Sequence, residues 1–385
     1  MEILHRGFDA LDVSFEAQIG SKLCDALEDA KANALVSRKP TCLPWNGLKL
    51  LVAESGVRGG YRYRADIGQF GGTWMFKAPS EKDPWGVRVS CSSLQLALFG
   101  LEETKRHLYE TLSALGMHLG GGGESIGRVD FAVDILAPEF ELAVENFVMH
   151  SNTGWAQEGE FVVPRVNGKS DRVTSVTVGK MPGRQVIVYD KRAEIIGKRK
   201  FAWWEIWDAS RSENGKAPLA REDATQSRIW RIEARAGKRH LKEKWAITSW
   251  TDLETRCGDM FADTMEAVRH VDPTSDSNRS RWPTSELWRI AQSQVNDSLL
   301  GVRSFADADQ VKEIQRAEFC DLMLKQTLGL VVTQAAVRGV LIERLPDFAS
   351  WLGNTLARTI SERQVEFAAR LDAAKARYRI EDKRR

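Results

Sequence analysis

Two aspartates four residues apart, in the segment GRVDFAVDI (127–135), are the first residues whose spacing suggests chemistry. Alternation along a strand puts Val129, Phe131, Val133 and Ile135 on one face. Asp130 and Asp134, with small Ala132 between them, then share the other. Two carboxylates on one face repel each other unless positive charge sits beside them. A divalent cation such as Mg2+ or Mn2+, which prefers oxygen ligands, is one answer, and a solvated strand face is another. The segment RIWRIEARA (228–236) adds a third carboxylate, because Arg231, Glu233 and Arg235 share the face opposite Trp230, Ile232 and Ala234. Glu233 could complete a metal site while the arginines hold phosphates, or the three could belong to an ordinary cross-strand ion-pair ladder. In RQVIVYDK (184–191), Ile187, Tyr189 and Lys191 face away from Val186 and Val188. A tyrosine in such a place is ordinarily a packing residue. Lys191 beside it, with Arg192 next in line, offers the positive charge that a phenol of pKa about 10 needs to become a nucleophile.

These segments need a sheet to hold them. FDALDVSF (8–15) reads as a strand, followed by a helix carrying Ile19, Leu23, Leu27 and Leu35 on one side. Strands follow at 48–54, 61–66, 73–77 and 87–92, separated by Gly- or Pro-containing turns, and then a helix from Leu101 to His118. In the second β block, GRVDFAVDI is followed by a helix from Pro138 through Phe147. RVTSVTVG (172–179) and RQVIVYDK form a hairpin around Met181-Pro182-Gly183, and RIWRIEARA is the last strand. The class is therefore α+β, with antiparallel sheets and packed helices; each block sets a helix among strands, so the N-terminal half could be a duplicated α+β unit. Beyond about residue 250 the strands end. A polar linker (272–285) and helical patterns at 284–298, 307–328, 330–342 and 346–380 follow, closing on a basic tail, Arg377 to Arg385. The expected division is a catalytic α+β domain over 1–250 and a helical accessory domain over 251–385.

Composition is that of a folded chain, 43% apolar and 28% charged over 385 residues. No apolar run reaches the ~20 residues of a membrane span, and the first ten residues lack the apolar stretch of a secretory signal. Five scattered cysteines form no CxxC pair, which speaks against a disulfide framework or a cysteine zinc site and fits the cytoplasm. Net charge is only +2, but Arg184 to Lys244 holds 16 Lys/Arg against 9 Asp/Glu, a local surplus suited to phosphate contacts. The six histidines are never two apart, so no His-x-His metal motif exists. Gly168-Lys169-Ser170 has Val163 where a phosphate loop requires its first glycine. Trp203, Trp204 and Trp207 lie in the basic segment and either pack or stack on unpaired bases.

Taken in order, FDALDVSF, RVDFAVDI, TVGKMPGRQVIVYDK and RIEAR resemble the replication initiation factor family, the Rep_trans type, which holds rolling-circle initiators of plasmids and phages and related relaxases. The resemblance covers roughly the first 250 residues. It implies a DNA strand-transferring enzyme in which Tyr189 attacks one phosphodiester, forms a 5′-phosphotyrosine link and releases a 3′-hydroxyl primer. It carries Asp130, Asp134 and Glu233 over as ligands of a divalent metal, and Lys191 as the group that steadies the phenolate or the phosphate. Arg184, Arg231 and Arg235 could hold flanking phosphates. The implied partner is DNA at a replication origin, presented single-stranded or as a cruciform. The helical region is expected to serve DNA recognition, dimerisation with a second copy of the chain, or recruitment of a host helicase. A relaxase for conjugative transfer would use the same chemistry; a DNA-binding protein without catalysis would not need carboxylates facing the DNA.

Overall fold

β1 (Glu2–Ala17) and β7 (Leu119–Leu136) pair antiparallel along most of their length and form the seam of the molecule. In the computed structural model, which describes residues 1–68, 70–117, 119–149, 165–169, 172–295 and 299–378, two wings extend from that seam. One wing is β2 (Thr41–Trp45), β3 (Leu48–Val52), β4 (Tyr63–Ile67), β5 (Thr73–Phe76) and β6 (Val87–Cys91). A short β8 (Phe147–Met149) stands apart, and the other wing is β9 (Arg165–Lys169), β10 (Arg172–Gly179), β11 (Arg184–Asp190) and β12 (Ile229–Gly237). Together they make one 11-stranded sheet in the order β2-β3-β4-β5-β6-β1-β7-β12-β11-β10-β9, antiparallel at every pairing. A last strand, β13 (Val268–His270), pairs with β8 alone.

Alternation, interrupted by register shifts between β1 and β7, gives this sheet one apolar face. Val13, Phe15, Val129, Phe131, Val186 and Ile232 all lie in one buried cluster with side chains of α1 (Ser21–Ser37), α2 (Ser93–Ala114), α5 (Trp250–Ala267) and α6 (Glu286–Val295). The helix between β11 and β12 is split in two, α3 (Lys191–Gly197) and α4 (Ala202–Glu213). These two lie on the opposite, polar face, where Trp203, Trp204, Trp207 and Ile195 bury a second, smaller cluster with Leu4 and Ile229. The three tryptophans therefore pack, and none presents a free face for stacking on bases. In the other wing Tyr61 and Tyr63 are buried while Arg62 and Arg64 are exposed, the split their alternation predicts.

The chain divides after Ala308, into Met1–Ala308 and Asp309–Arg385. The division expected at 250/251 lies inside the first unit. The reason is the apolar face of α5: Trp250, Leu253, Met260 and Phe261 are buried in the sheet's own core, and α6 adds Leu287 and Trp288. The second unit consists of α7 (Ala308–Val337), α8 (Leu345–Glu362) and α9 (Gln364–Tyr378). α7 runs unbroken through the gap expected near residue 329. The helix expected from Pro138 does not form either. Phe140 and Leu142 are buried, with Phe140 packed on Trp230 and His270, so the chain makes a single turn at residues 138–139 and runs on without regular structure to a short 3-10 turn at Val144–Asn146. Leu35, expected inward on α1, is exposed. The basic tail from residue 379 on, His118, His150 and Ser170 of the Gly-Lys-Ser run lie outside the described residues.

Candidate active site

The polar face is built by register. Across β7 and β12, Asp130 stands opposite Arg235, Ala132 opposite Glu233 and Asp134 opposite Arg231. Across β12 and β11, Arg231 stands opposite Tyr189 and Glu233 opposite Ile187. The residues singled out by alternation, Asp130, Asp134, Glu233, Arg231, Arg235 and Tyr189, are thus brought onto one face of three adjacent strands. Arg184 is not among them. It falls on the apolar side of β11, buried, where it pairs with Asp263 of α5 at 2.7 Å. A phosphate at Tyr189 is out of its reach, which corrects its expected role.

Arg231 is corrected in the same way. Its guanidinium is fully buried, bound to Asp134 through Nε and Nη2 at 2.5 and 2.7 Å, bonded to Asp9 through Nη1, and centred 4.2 Å from the ring of Trp203. Trp207 donates its indole N–H to Asp134 at 2.8 Å. Burial alone would push the Asp134 carboxyl up, but the adjoining guanidinium outweighs it and holds the carboxyl below its usual range. Arg231 therefore organises the site from beneath: it is wholly buried, and three of its five N–H groups are committed to Asp134 and Asp9. His5, opposite Asp134 on β1 and edge-on to Trp203, is buried and pushed down to about 4 by desolvation, so it stays neutral within this network.

Towards the open end of the face the carboxylates change partners. Asp130 accepts from Nε of Arg128 at 3.0 Å on both oxygens and lies 3.6 Å from Arg235. Burial raises its carboxyl to about 7, with Glu233 pushing the same way and Arg128 and Arg235 against it. Glu233 holds Arg235 at 2.7 Å through Oε1, and its other oxygen is buried with no hydrogen-bond partner. This is the ion-pair reading that the RIEAR segment left open, with close pairs two residues apart within a strand joined across strands by the Arg235–Asp130 approach.

The donor set does not fit a three-carboxylate metal centre. Among the described residues no group of three or more His, Cys, Asp or Glu side chains converges in a way that could hold a metal ion. A dication needs free carboxylate oxygens around one point. Here Asp130 and Asp134 give theirs to guanidinium groups, and Asp134 lies beneath α4. The unpaired Glu233 oxygen is the single carboxylate oxygen of the three left without a partner.

Beside these ion pairs lies a cavity of about 550 Å3. Tyr189, Glu233, Arg235, Lys191 and Glu194 line it, with Ser175 and Thr177 of β10 on the far side. Tyr189 is half-buried, and desolvation pushes its phenol well above 10, with Arg231 pulling the other way, so it rests as the neutral phenol. Lys191 was expected on the tyrosine's own strand. The strand instead stops at Asp190, whose side chain caps α3 by accepting from the N–H of Ala193 at 2.8 Å, and Lys191 is the first helical residue. Its ammonium still lies 5.6 Å from the centre of the Tyr189 ring and 4.7 Å from that of Trp203. Burial, and then Arg231, lower it from 10.5 to about 8.

Several solved chains match. One of them is a rolling circle replication initiator protein from Geobacillus stearothermophilus, 12% identical, with a TM-score of 0.38, covering 78% of this chain and 99% of that one. A likeness at that level identifies no residue and no activity. No family model and no curated protein matches the sequence.

Two further residues belong to this site and were not read as such from the sequence. Asp9 lines the cavity and holds Arg231. Strict alternation in FDALDVSF cannot put both Phe8 and Leu11 inward, yet both are buried. A register shift between Phe8 and Ala10 resolves this and turns Asp9 to the polar face. The apolar step of three was the signal. Glu194, one turn into α3, binds Lys191 at 2.8 Å, and no pattern in the sequence distinguishes it from any exposed helix glutamate.

Proposed function

We propose that the chain cuts and rejoins one strand of DNA through a phosphotyrosine at Tyr189, and that it serves as an initiator of rolling-circle replication. The observation that carries the reading is the cavity in which a half-buried tyrosine, a buried lysine and an arginine meet on the polar face of the sheet. In this reading a scissile phosphate enters the cavity. Lys191, whose amine is partly neutral near pH 8, takes the proton of the Tyr189 hydroxyl. The phenolate oxygen attacks phosphorus, the bond to the 3′-oxygen breaks, and that oxygen takes up a proton to leave as the 3′-hydroxyl primer. The bond energy stays in the phosphotyrosine, so the reverse attack rejoins the strand without ATP. Of the three arginines proposed for phosphates, Arg235, with 27% of its side chain exposed, is the one at the cavity. Arg235 is the arginine placed to meet the negative charge that develops on the transferring phosphoryl group.

The partner in this proposal is DNA at a replication origin, opened as a single strand or a cruciform. No described helix is long and apolar enough to cross a membrane. The second unit exposes Leu324, Leu328, Leu330 and Val332 along α7 and Trp351 on α8, a surface of the kind that takes protein partners, and we assign it to a second copy or a helicase.

The test is cleavage of a supercoiled plasmid carrying the cognate origin, scored for nicked circles with protein attached. Tyr189→Phe is expected to abolish both while leaving the unfolding midpoint unchanged. Undiminished nicking by that variant removes Tyr189 from the chemistry.

A further inference from the structure

One carboxylate at the cavity wall gathers three ammonium groups. Glu194 binds Lys191 at 2.8 Å, Lys200 at 2.9 Å and Lys198 at 3.2 Å. A single negative charge cannot balance three positive ones, so two positive charges remain at this wall. The anchoring member, Lys191, is almost wholly buried, whereas 65% of the Lys198 side chain and 46% of the Lys200 side chain are exposed, and both lysines line the cavity.

Each acidic group lining the same cavity already has a cationic partner, but Arg231 is shared by Asp9 and Asp134, so the surplus across the cavity is about one positive charge. Asp9 is held by Arg231, Glu233 by Arg235, and Asp190 by Arg172 at 2.7 Å together with the N–H of Ala193. The excess cations at this wall therefore face carboxylates that already have partners, and an anion is what completes the site. Ser175 and Thr177 of β10, the strand partners of Tyr189 and Ile187, line the same cavity with hydroxyls that suit phosphate oxygens.

We infer that Lys198 and Lys200, anchored by Glu194 to the buried Lys191, form a seat for a backbone phosphate of an unpaired nucleic-acid strand running past Tyr189. A cavity of about 550 Å3 takes roughly one nucleotide. A duplex keeps its phosphates on a cylinder too wide to enter it, while an unpaired strand can lay one residue in. The inference deepens the proposed strand cleavage and rests on it for the identity of the strand, but binding can be read without cleavage.

Fluorescence anisotropy of a labelled unpaired oligonucleotide, measured over a series of salt concentrations, tests it on the full chain and on Tyr189→Phe alike. Each phosphate contact to a single strand contributes about 0.7 to the slope of log affinity against log salt. Lys198→Ala with Lys200→Ala is expected to lower that slope by about 0.7, the share of one phosphate, and to weaken binding several-fold. Lys22→Ala with Lys39→Ala, exposed lysines of the same unit remote in sequence from the cavity, is expected to leave both unchanged. An unaltered slope in the first pair, or an equal fall in the second, overturns the seat. So does a duplex of the same length that binds more tightly and loses as much. Acylation of Lys198 and Lys200 with acetic anhydride separates the sources of phosphate: protection by the oligonucleotide supports the inference, and protection by inorganic phosphate alone overturns the strand assignment. Binding that is intact in Tyr189→Phe, with no nicking by the wild type, sinks the cleavage reading and leaves the seat standing.

Discussion

Arg231 stands directly across from Tyr189 in the register of β12 and β11, yet its guanidinium turns away into the protein, between Asp134 and Asp9 and under Trp203. The tyrosine is thus flanked by a cation that tunes its surroundings without being available to substrate. Removing one member of a buried pair leaves an uncompensated charge, at a cost of about 3–5 kcal/mol. Arg231→Met is therefore expected to lower the urea unfolding free energy by that amount, and Arg231→Met with Asp134→Leu to recover part of it. A loss below about 1 kcal/mol in the single variant contradicts the buried network.

Metal dependence follows from the pairing of the carboxylates. With Asp130, Asp134 and Glu233 held by arginines, stripping divalent ions with EDTA is expected to leave cleavage within a few-fold, and Mn2+ is expected to show no stoichiometric binding by electron paramagnetic resonance. A hundredfold loss in EDTA, restored by Mn2+ and absent in Glu233→Gln, would show instead that a metal displaces Arg235.

The pH profile of cleavage reports on Lys191. Its lowered pKa, about 8, means that the neutral amine grows as pH rises towards that value. Cleavage is expected to climb through pH 8 and level above it. Lys191→Arg keeps its charge and cannot accept the proton, so its profile is expected to be flat and low. A wild-type rate independent of pH between 6 and about 9 rules Lys191 out as the acceptor.

The division of the chain predicts which truncations fold. Residues 1–308 are expected to melt cooperatively. Residues 1–250 lose Leu253, Met260, Phe261 and Trp288 from the core and are expected to be insoluble or molten. A sharp thermal transition for the shorter fragment, seen by circular dichroism, would mean that α5 is dispensable.

Much of the fold was legible because strand alternation is a local property. RVDFAVDI, RQVIVYDK and RIWRIEARA each carry their facing in the order of their residues, and the fold sets them side by side in the order β7, β12, β11. The limits lay where tertiary contacts override local pattern. Phe140 is drawn onto Trp230 and His270, so Pro138 starts no helix. α5 looks like any amphipathic helix until its apolar face meets the sheet, and this moved the boundary from 250 to 308.

The sequence by itself determined that Asp130 and Asp134 share one face of their strand, and that Arg231, Glu233 and Arg235 share one face of theirs, by period-two alternation. The tertiary structure alone decided what each does there. Whether a carboxylate meets a metal or an arginine depends on the register between strands, and register set Arg231 against Asp134 and Arg235 against Asp130. Whether a cation is buried or reachable depends on what covers it. α4 closes over Arg231 and Asp134, α5 takes Arg184, and the cavity is left to Tyr189, Lys191 and Arg235, with lysines from beyond α3 that no strand pattern could have placed.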